Sequence, residues 1–331
     1  MASTLLLPSL LLIAGLIILV WSSDIFIDGA ASVAKHLQVS PLIIGVVVLG
    51  FGTSTPEIIV STLAALDGSP GLAIGNAVGS NIANIGLILG FTAILLPVIV
   101  KSSILKRELP LLFAVSAGAY LLVIIDGKLS LIDGVIMLVG LILVLFWMIK
   151  ANKEIDPQDP MAQEALQEME AMPLLSKPKA WLYTLGGLVI LMISARMMVS
   201  GAVDIAEFFG VPEVVIGLTI IAIGTSLPEL AAAIAAARKN EADLVIGNIV
   251  GSNVFNILAV LAVPAILAPS VLDTQVLYID FPVMLGFTAA MLLLALPFRG
   301  KASITRLRGA LLLAAFIAYL FSLYLRSTGA L

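Results

Sequence analysis

The sequence predicts an all-α integral membrane protein with ten transmembrane helices in two inverted five-helix repeats. Three observations carry this expectation. The 331-residue chain is 61% hydrophobic and only 11% Asp, Glu, Lys and Arg, against about 25% charged residues in a soluble domain. Its mean hydropathy is +1.17. One block of sequence recurs, without a gap, 172 residues further along. A soluble chain of this size could neither bury so much apolar surface nor stay dispersed on so few charges. The small formal charge of −4 argues against a nucleic-acid partner. Cysteine is absent, which excludes disulfides, thiolate metal sites and a Cys nucleophile. A single histidine, His36, excludes any multi-histidine site.

Roughly 30 residues per span and loop allow about ten spans. Apolar stretches of that length fall near residues 5–33, 38–66, 70–98, 108–125, 130–149, 180–208, 212–237, 243–268, 276–297 and 304–325. The run from Leu5 to Val20 could also be a secretory signal. Its leading MAST carries no basic side chain and no A-x-A-like site follows Val20, so a retained first helix is expected.

The basic residues set an orientation. With the N-terminus outside, the inner loops hold Lys35, then Lys101, Lys106 and Arg107, then Lys150, Lys153, Lys177 and Lys179, then Arg238 and Lys239, then Arg299, Lys301, Arg306 and Arg308. The outer side holds only Lys128 and Arg326. Both termini are therefore expected outside a plasma (inner) membrane, and residues 151–179 in the cytoplasm. That segment, with Glu154, Asp156, Asp159 and four prolines, reads as a solvated linker with a short helix near 161–171. It separates a first repeat (1–150) from a second (180–331). Trp21, Trp147 and Trp181 lie near span ends, as interfacial tryptophans do.

The repeat is the most informative feature. Ile44-Gly45 returns as Ile216-Gly217. Gly52-Thr53-Ser54-Thr55-Pro56-Glu57 returns as Gly224-Thr225-Ser226-Leu227-Pro228-Glu229. Gly75-Asn76 returns as Gly247-Asn248, and Gly79-Ser80-Asn81-Ile82-Ala83-Asn84 as Gly251-Ser252-Asn253-Val254-Phe255-Asn256. Gly29-Ala30, Pro97 and Pro110 follow at the same offset. The offset contains five spans, an odd number, so the copies cross the membrane in opposite senses. Inverted repeats are the architecture of many secondary transporters, whose sites lie at the midplane between the halves.

Glu57 and Glu229 sit deep inside apolar segments, where a carboxylate is costly and marks function by default. Gly50, Gly52 and Pro56 break the second span, as Gly224 and Pro228 break the seventh. Thr55 is expected at the cap, Glu57 in the first turn beyond, and carbonyl oxygens are expected to be freed at the break. Thr53 and Glu57, like Thr225 and Glu229, are four apart and would share a helix face. Asn76, Ser80 and Asn84 make a polar stripe on the third span, and Asn248, Ser252 and Asn256 repeat it on the eighth. Glycines four apart beside them permit close helix approach. Two carboxylates with hydroxyl, amide and carbonyl oxygens, and no sulfur or imidazole, form a hard oxygen cage. It suits Ca²⁺ and also Na⁺ rather than zinc or copper. Asp24 and Arg196, at equivalent repeat positions, are expected to face the bundle or an interface rather than lipid.

GTSTPE with GNAVGSNIAN, and GTSLPE with GNIVGSNVFN, resemble the two alpha repeats of the calcium/cation antiporter superfamily, most closely its prokaryotic sodium/calcium exchanger branch. The alpha-1 motif would span 45–84 and the alpha-2 motif 217–256. The likeness covers roughly residues 5–325. It implies the sodium/calcium exchanger fold, with ions bound between the second, third, seventh and eighth spans. It also implies Glu57 and Glu229 as Ca²⁺ carboxylates. Thr53, Ser54, Thr225 and Ser226, the carbonyls of Gly50 and Ala222, and Ser80, Asn84 and Ser252 match further ion-site positions. Asn256 stands where many members carry Asp.

The expected activity is secondary active antiport of Ca²⁺ against Na⁺ by alternating access. The transported ions and the lipid bilayer are the partners, with no cofactor, no nucleic acid and no deducible protein partner. Ca²⁺/H⁺ exchange is the alternative, and a passive cation channel a weaker one. A channel pore is usually built by several subunits around an axis, which an inverted repeat with broken helices does not suggest. An intramembrane enzyme would need a nucleophile and base or an Asp-rich diphosphate site, and no such constellation occurs, so no enzymatic activity is expected.

Overall fold

The protein is described here by a computed structural model covering residues 2–37, 45–68, 70–153, 175–209, 222–297 and 302–327. The principal helices are α1 (Ala2–Leu37), α2 (Thr55–Leu66), α3 (Pro70–Ala83), α4 (Glu108–Ile124), α5 (Leu131–Lys153), α6 (Lys177–Phe208), α7 (Leu227–Arg238), α8 (Ala242–Phe255), α9 (Phe281–Ala295) and α10 (Arg306–Ser327). Among the described residues, eight helices are long and apolar enough to cross a membrane, and a ninth span is formed by a bent pair. The tenth expected span, 212–237, is described only from Ala222 onward. The expected linker helix at 161–171 lies outside the described residues. The helices flanking the linker reach further into it than the sequence suggested, to Lys153 and from Lys177.

The breaks are where glycine and proline put them. The second span, as described from Gly45, runs through a π-helical turn, Gly45–Gly50, and Phe51–Thr53, and then bends by 45° into α2. Pro56 lies at the start of α2, where its missing N–H costs no intrahelical bond. The seventh span repeats the pattern with Ala222–Thr225, then α7 and Pro228. α3 and α8 each run on into a π-helical turn, Asn84–Leu89 and Asn256–Val260. Both turns begin on the last residue of the polar stripe, and such turns mark functional sites often.

α3 and α8 form the centre: their most apolar windows are 72% and 83% buried, against 17–33% in the other unbroken spans. The outer helices present apolar side chains all round, as lipid-facing helices do. α1 and α6 pack along their whole length in antiparallel sense. A Cβ on Gly29 of α1 would strike the backbone of Thr184 in α6, and one on Gly201 of α6 the backbone of Pro8 in α1. These glycines are repeat mates, and the antiparallel crossing is the inversion seen directly.

Two small ribbons clamp the halves together. β1 (Val98–Ile99) pairs with β4 (Ser303–Ile304), and β2 (Lys128–Leu129) pairs with β3 (Ser270–Val271), both antiparallel. β1 and β3 are repeat mates, and each pairs with a strand of the other half. The first ribbon lies on the face where α5 ends and α6 begins, the linker face. The second lies on the face where α1 begins and α10 ends, the terminal face. On the linker face Lys239 Nζ, just beyond α7, meets Asp28 Oδ1 of α1 at 2.7 Å. Arg196 is exposed on α6, on a side that faces the bundle, as expected of it. It lines a cavity of about 560 Å³ beside Thr55, Pro56, Thr225 and Pro228. Asp24 is half-buried.

Candidate cation site

The two breaks bring the repeat-matched carboxylates into one buried place. Glu57 lies in the first turn of α2 and Glu229 in the first turn of α7, each 1% exposed. Helix N-termini carry a partial positive charge that favours a carboxylate there. The two acids are close enough to interact electrostatically. Each also faces hydroxyls of the opposite repeat: Thr225 stands near Glu57, and Thr53 and Ser54 near Glu229. Despite that proximity, none of the four carboxylate oxygens makes a well-formed hydrogen bond among the described residues. Ser54 Oγ, Ser226 Oγ, Asn84 Oδ1 and Asn256 Oδ1 are likewise buried without a partner.

Six side chains, in three repeat-matched pairs, therefore offer eight buried oxygens with no hydrogen-bond donor among the described residues. Buried polar atoms are normally hydrogen-bonded, and leaving them bare is costly. A cation liganded by oxygen removes that cost, and oxygen is the donor that Ca²⁺ takes. No group of three or more Asp, Glu, His or Cys gathers elsewhere among the described residues in a metal-binding arrangement.

The remaining candidates take other places. Thr53 Oγ1 lies 2.9 Å from Leu49 O, 3.2 Å from Asn248 Oδ1 and 3.3 Å from Ser252 Oγ, so Thr53 and Ser252 are knitted into a network between the first break and α8. Gly50 O is not freed by the break. It accepts the Ser54 N–H at 3.2 Å, and Ser252 Oγ lies 3.5 Å away on its other side. A carbonyl has two lone pairs, so the helical bond survives and the second pair turns to α8. Ser80 is buried and lines a cavity of about 290 Å³ with Asn76 and Thr225. Ala222 is the first described residue of its half-helix. The break residue is Ser54, not Thr55. Ser54 sits outside helical geometry at φ −81°, ψ 2°, while Thr55 already belongs to α2 and donates to Phe51 O at 3.1 Å.

Two roles were not apparent in the sequence. Asn76 Nδ2 donates to Glu57 O at 3.1 Å, and Asn248 Nδ2 to Glu229 O at 3.3 Å, so each carboxylate's backbone is braced by the stripe of its own half. Asn253, one position off the stripe, accepts from Asn84 Nδ2 at 3.0 Å across the two halves. The only signal for it was its presence in both copies of Gly-Ser-Asn.

Comparison with known proteins agrees with this architecture. The sodium/calcium exchanger protein family matches residues 7–150 and 179–325. The chain is 44% identical to the putative antiporter CaxA of Alkalimonas amylolytica, over 96% of this chain and 99% of that one. It is 42% identical to the inner membrane protein YrbG of Escherichia coli, over 96% and 97%. It superposes on the sodium-calcium exchanger NCX_Mj with a TM-score of 0.82 at 33% identity, covering 96% of this chain and 99% of that one. This chain is an integral membrane protein that belongs to the sodium/calcium exchanger family.

Proposed function

We propose that the protein is a secondary active antiporter exchanging Ca²⁺ for Na⁺ across a prokaryotic inner membrane, and not an enzyme. The observation that carries this reading is the set of eight unsatisfied buried oxygens contributed in matched pairs by the two inverted halves. Glu57 and Glu229 supply two negative charges, which one Ca²⁺ balances. The hydroxyl and amide oxygens of Ser54, Ser226, Asn84 and Asn256 add neutral ligands, which suit dehydrated Na⁺ as well. An ion held between two halves of opposite sense is released to either face when the halves exchange conformations, which is alternating access. The excess of basic residues around the linker supports its placement in the cytoplasm and that of the termini outside.

The test uses purified protein in vesicles, with Na⁺ and pH gradients set independently and the voltage clamped by an ionophore. An opposing Na⁺ gradient at constant pH is expected to drive Ca²⁺ uptake, and acid pH to inhibit it, because only the ionised carboxylates ligate Ca²⁺. Uptake driven by a pH gradient and indifferent to Na⁺ promotes Ca²⁺/H⁺ exchange. Equilibrating flux that needs no counter-ion promotes a channel.

A further inference from the structure

A side-chain amide has one end that ligates a cation and one that repels it, and the two ends are nearly the same size. Asn84 contributes to the site only if its oxygen points inward and its NH₂ is held elsewhere. The structure provides that holder. Asn84 Nδ2 donates to Asn253 Oδ1 at 3.0 Å, with both residues 1% exposed, and Asn84 Oδ1 is left as the unpartnered end. Asn253 comes from α8 and Asn84 from the end of α3, so the bond crosses between the halves. The mate arrangement is not made. Asn81 donates its Nδ2 to Ala77 O of its own helix at 2.8 Å, and Asn256 keeps both amide atoms unpartnered.

We propose that Asn253 is a positioning residue for cation binding: by accepting the Asn84 NH₂ it fixes the Asn84 oxygen toward the ion. This rests on the reading of Asn84 as a ligand under Proposed function. Asn253 touches no ion itself. Its loss lets the Asn84 amide turn, and every turned amide presents N–H to the cation.

The test measures Ca²⁺ uptake into vesicles at fixed Na⁺ gradient, giving KM and maximal rate. Asn253→Ala is expected to raise the Ca²⁺ KM about fivefold to tenfold, the worth of one buried hydrogen bond. Asn253→Asp keeps the acceptor and restores a KM no higher than that of the unaltered protein. The decisive comparison is in an Asn84→Asp background, where a carboxylate ligates through either end and needs no orientation. There Asn253→Ala is expected to change KM by less than about twofold. An equal loss in both backgrounds shows packing alone and overturns the proposal. Should Asn253→Ala fail to fold, Asn253→Val carries the same comparison with the volume kept. A raised KM for Asn84→Ala beside an unchanged one for Asn253→Ala overturns the positioning role and leaves the site reading standing. An unchanged KM for Asn84→Ala removes Asn84 from the site and overturns both.

Discussion

The same Gly-Ser-Asn motif makes a bond across the halves in one copy and not in the other. In α8, Gly247 and Gly251 pack against the first half of the broken second span. A Cβ on Gly45 would lie 2.9 Å from the Gly247 backbone, and one on Gly50 2.7 Å from that of Gly251. In α3, Gly75 and Gly79 have nothing within 4 Å among the described residues, and they line the 290 Å³ cavity with Asn76, Ser80 and Thr225. The segment that mirrors Gly45–Gly50 is 217–222, described only at Ala222. The Asn84–Asn253 bond is made, while its mate between Asn256 and Asn81 is not. A pair of like sequences held in unlike environments is what an inverted repeat needs if its halves are to exchange roles.

The largest expected effect tests where the halves are alike. Glu57 and Glu229 are equally buried and equally unsatisfied, so Glu57→Gln and Glu229→Gln are each expected to abolish Ca²⁺ uptake, a loss beyond about 100-fold. Folding is checked by size-exclusion chromatography and thermal unfolding. Near-normal uptake by either folded variant would break the equivalence and remove that carboxylate from the site.

A glycine of the second copy tests the packing of α8 against the second span. A Cβ on Gly251 would lie within 2.7 Å of the Val46 backbone, which cannot yield as a flexible side chain does. Gly251→Ala is expected to destabilise by about 1–3 kcal/mol. Thermal unfolding in detergent reads the loss. No loss of stability would mean that the second span can move away from α8 at little cost, and the close packing would carry no weight.

Most of the fold was legible because it rests on one-dimensional signals. Hydropathy located the spans, the gap-free repeat gave the inversion, and glycine and proline marked both breaks to within a residue or two. The carboxylates were legible because an acid in hydrocarbon is expensive wherever the chain places it. What stayed hidden depends on approach between segments far apart in sequence. Asn253 lies off the helical stripe, and only the meeting of α3 with α8 gives it Asn84 as a partner. Gly50 O keeps its helical bond because the break is a bend at Ser54 rather than an unwinding, which glycine and proline positions alone do not decide. The two-residue strands β1 to β4 have no pattern long enough to register, and they form because loops of opposite halves meet on each face.

The smallest expected effect concerns a feature that the repeat does not duplicate. Asp28 of α1 and Lys239, just beyond α7, form an ion pair at 2.7 Å on the linker face, with side chains 35% and 28% exposed. At the mate positions stand Ser200 and Asp67, which cannot pair in this way, so the terminal face has no counterpart. An ion pair this exposed is worth about 1 kcal/mol or less and is screened by salt. Lys239→Gln is therefore expected to lower stability by no more than that, with the difference shrinking at high ionic strength. A link on one face only stabilises the arrangement in which α1 and α7 are close there. The same variant should consequently shift the apparent Ca²⁺ affinity unequally when the ion is offered from the two faces of oriented vesicles, by about twofold to fivefold. Equal affinities from both faces, unchanged by the substitution, would make the pair a local surface contact and leave the two halves balanced in this respect.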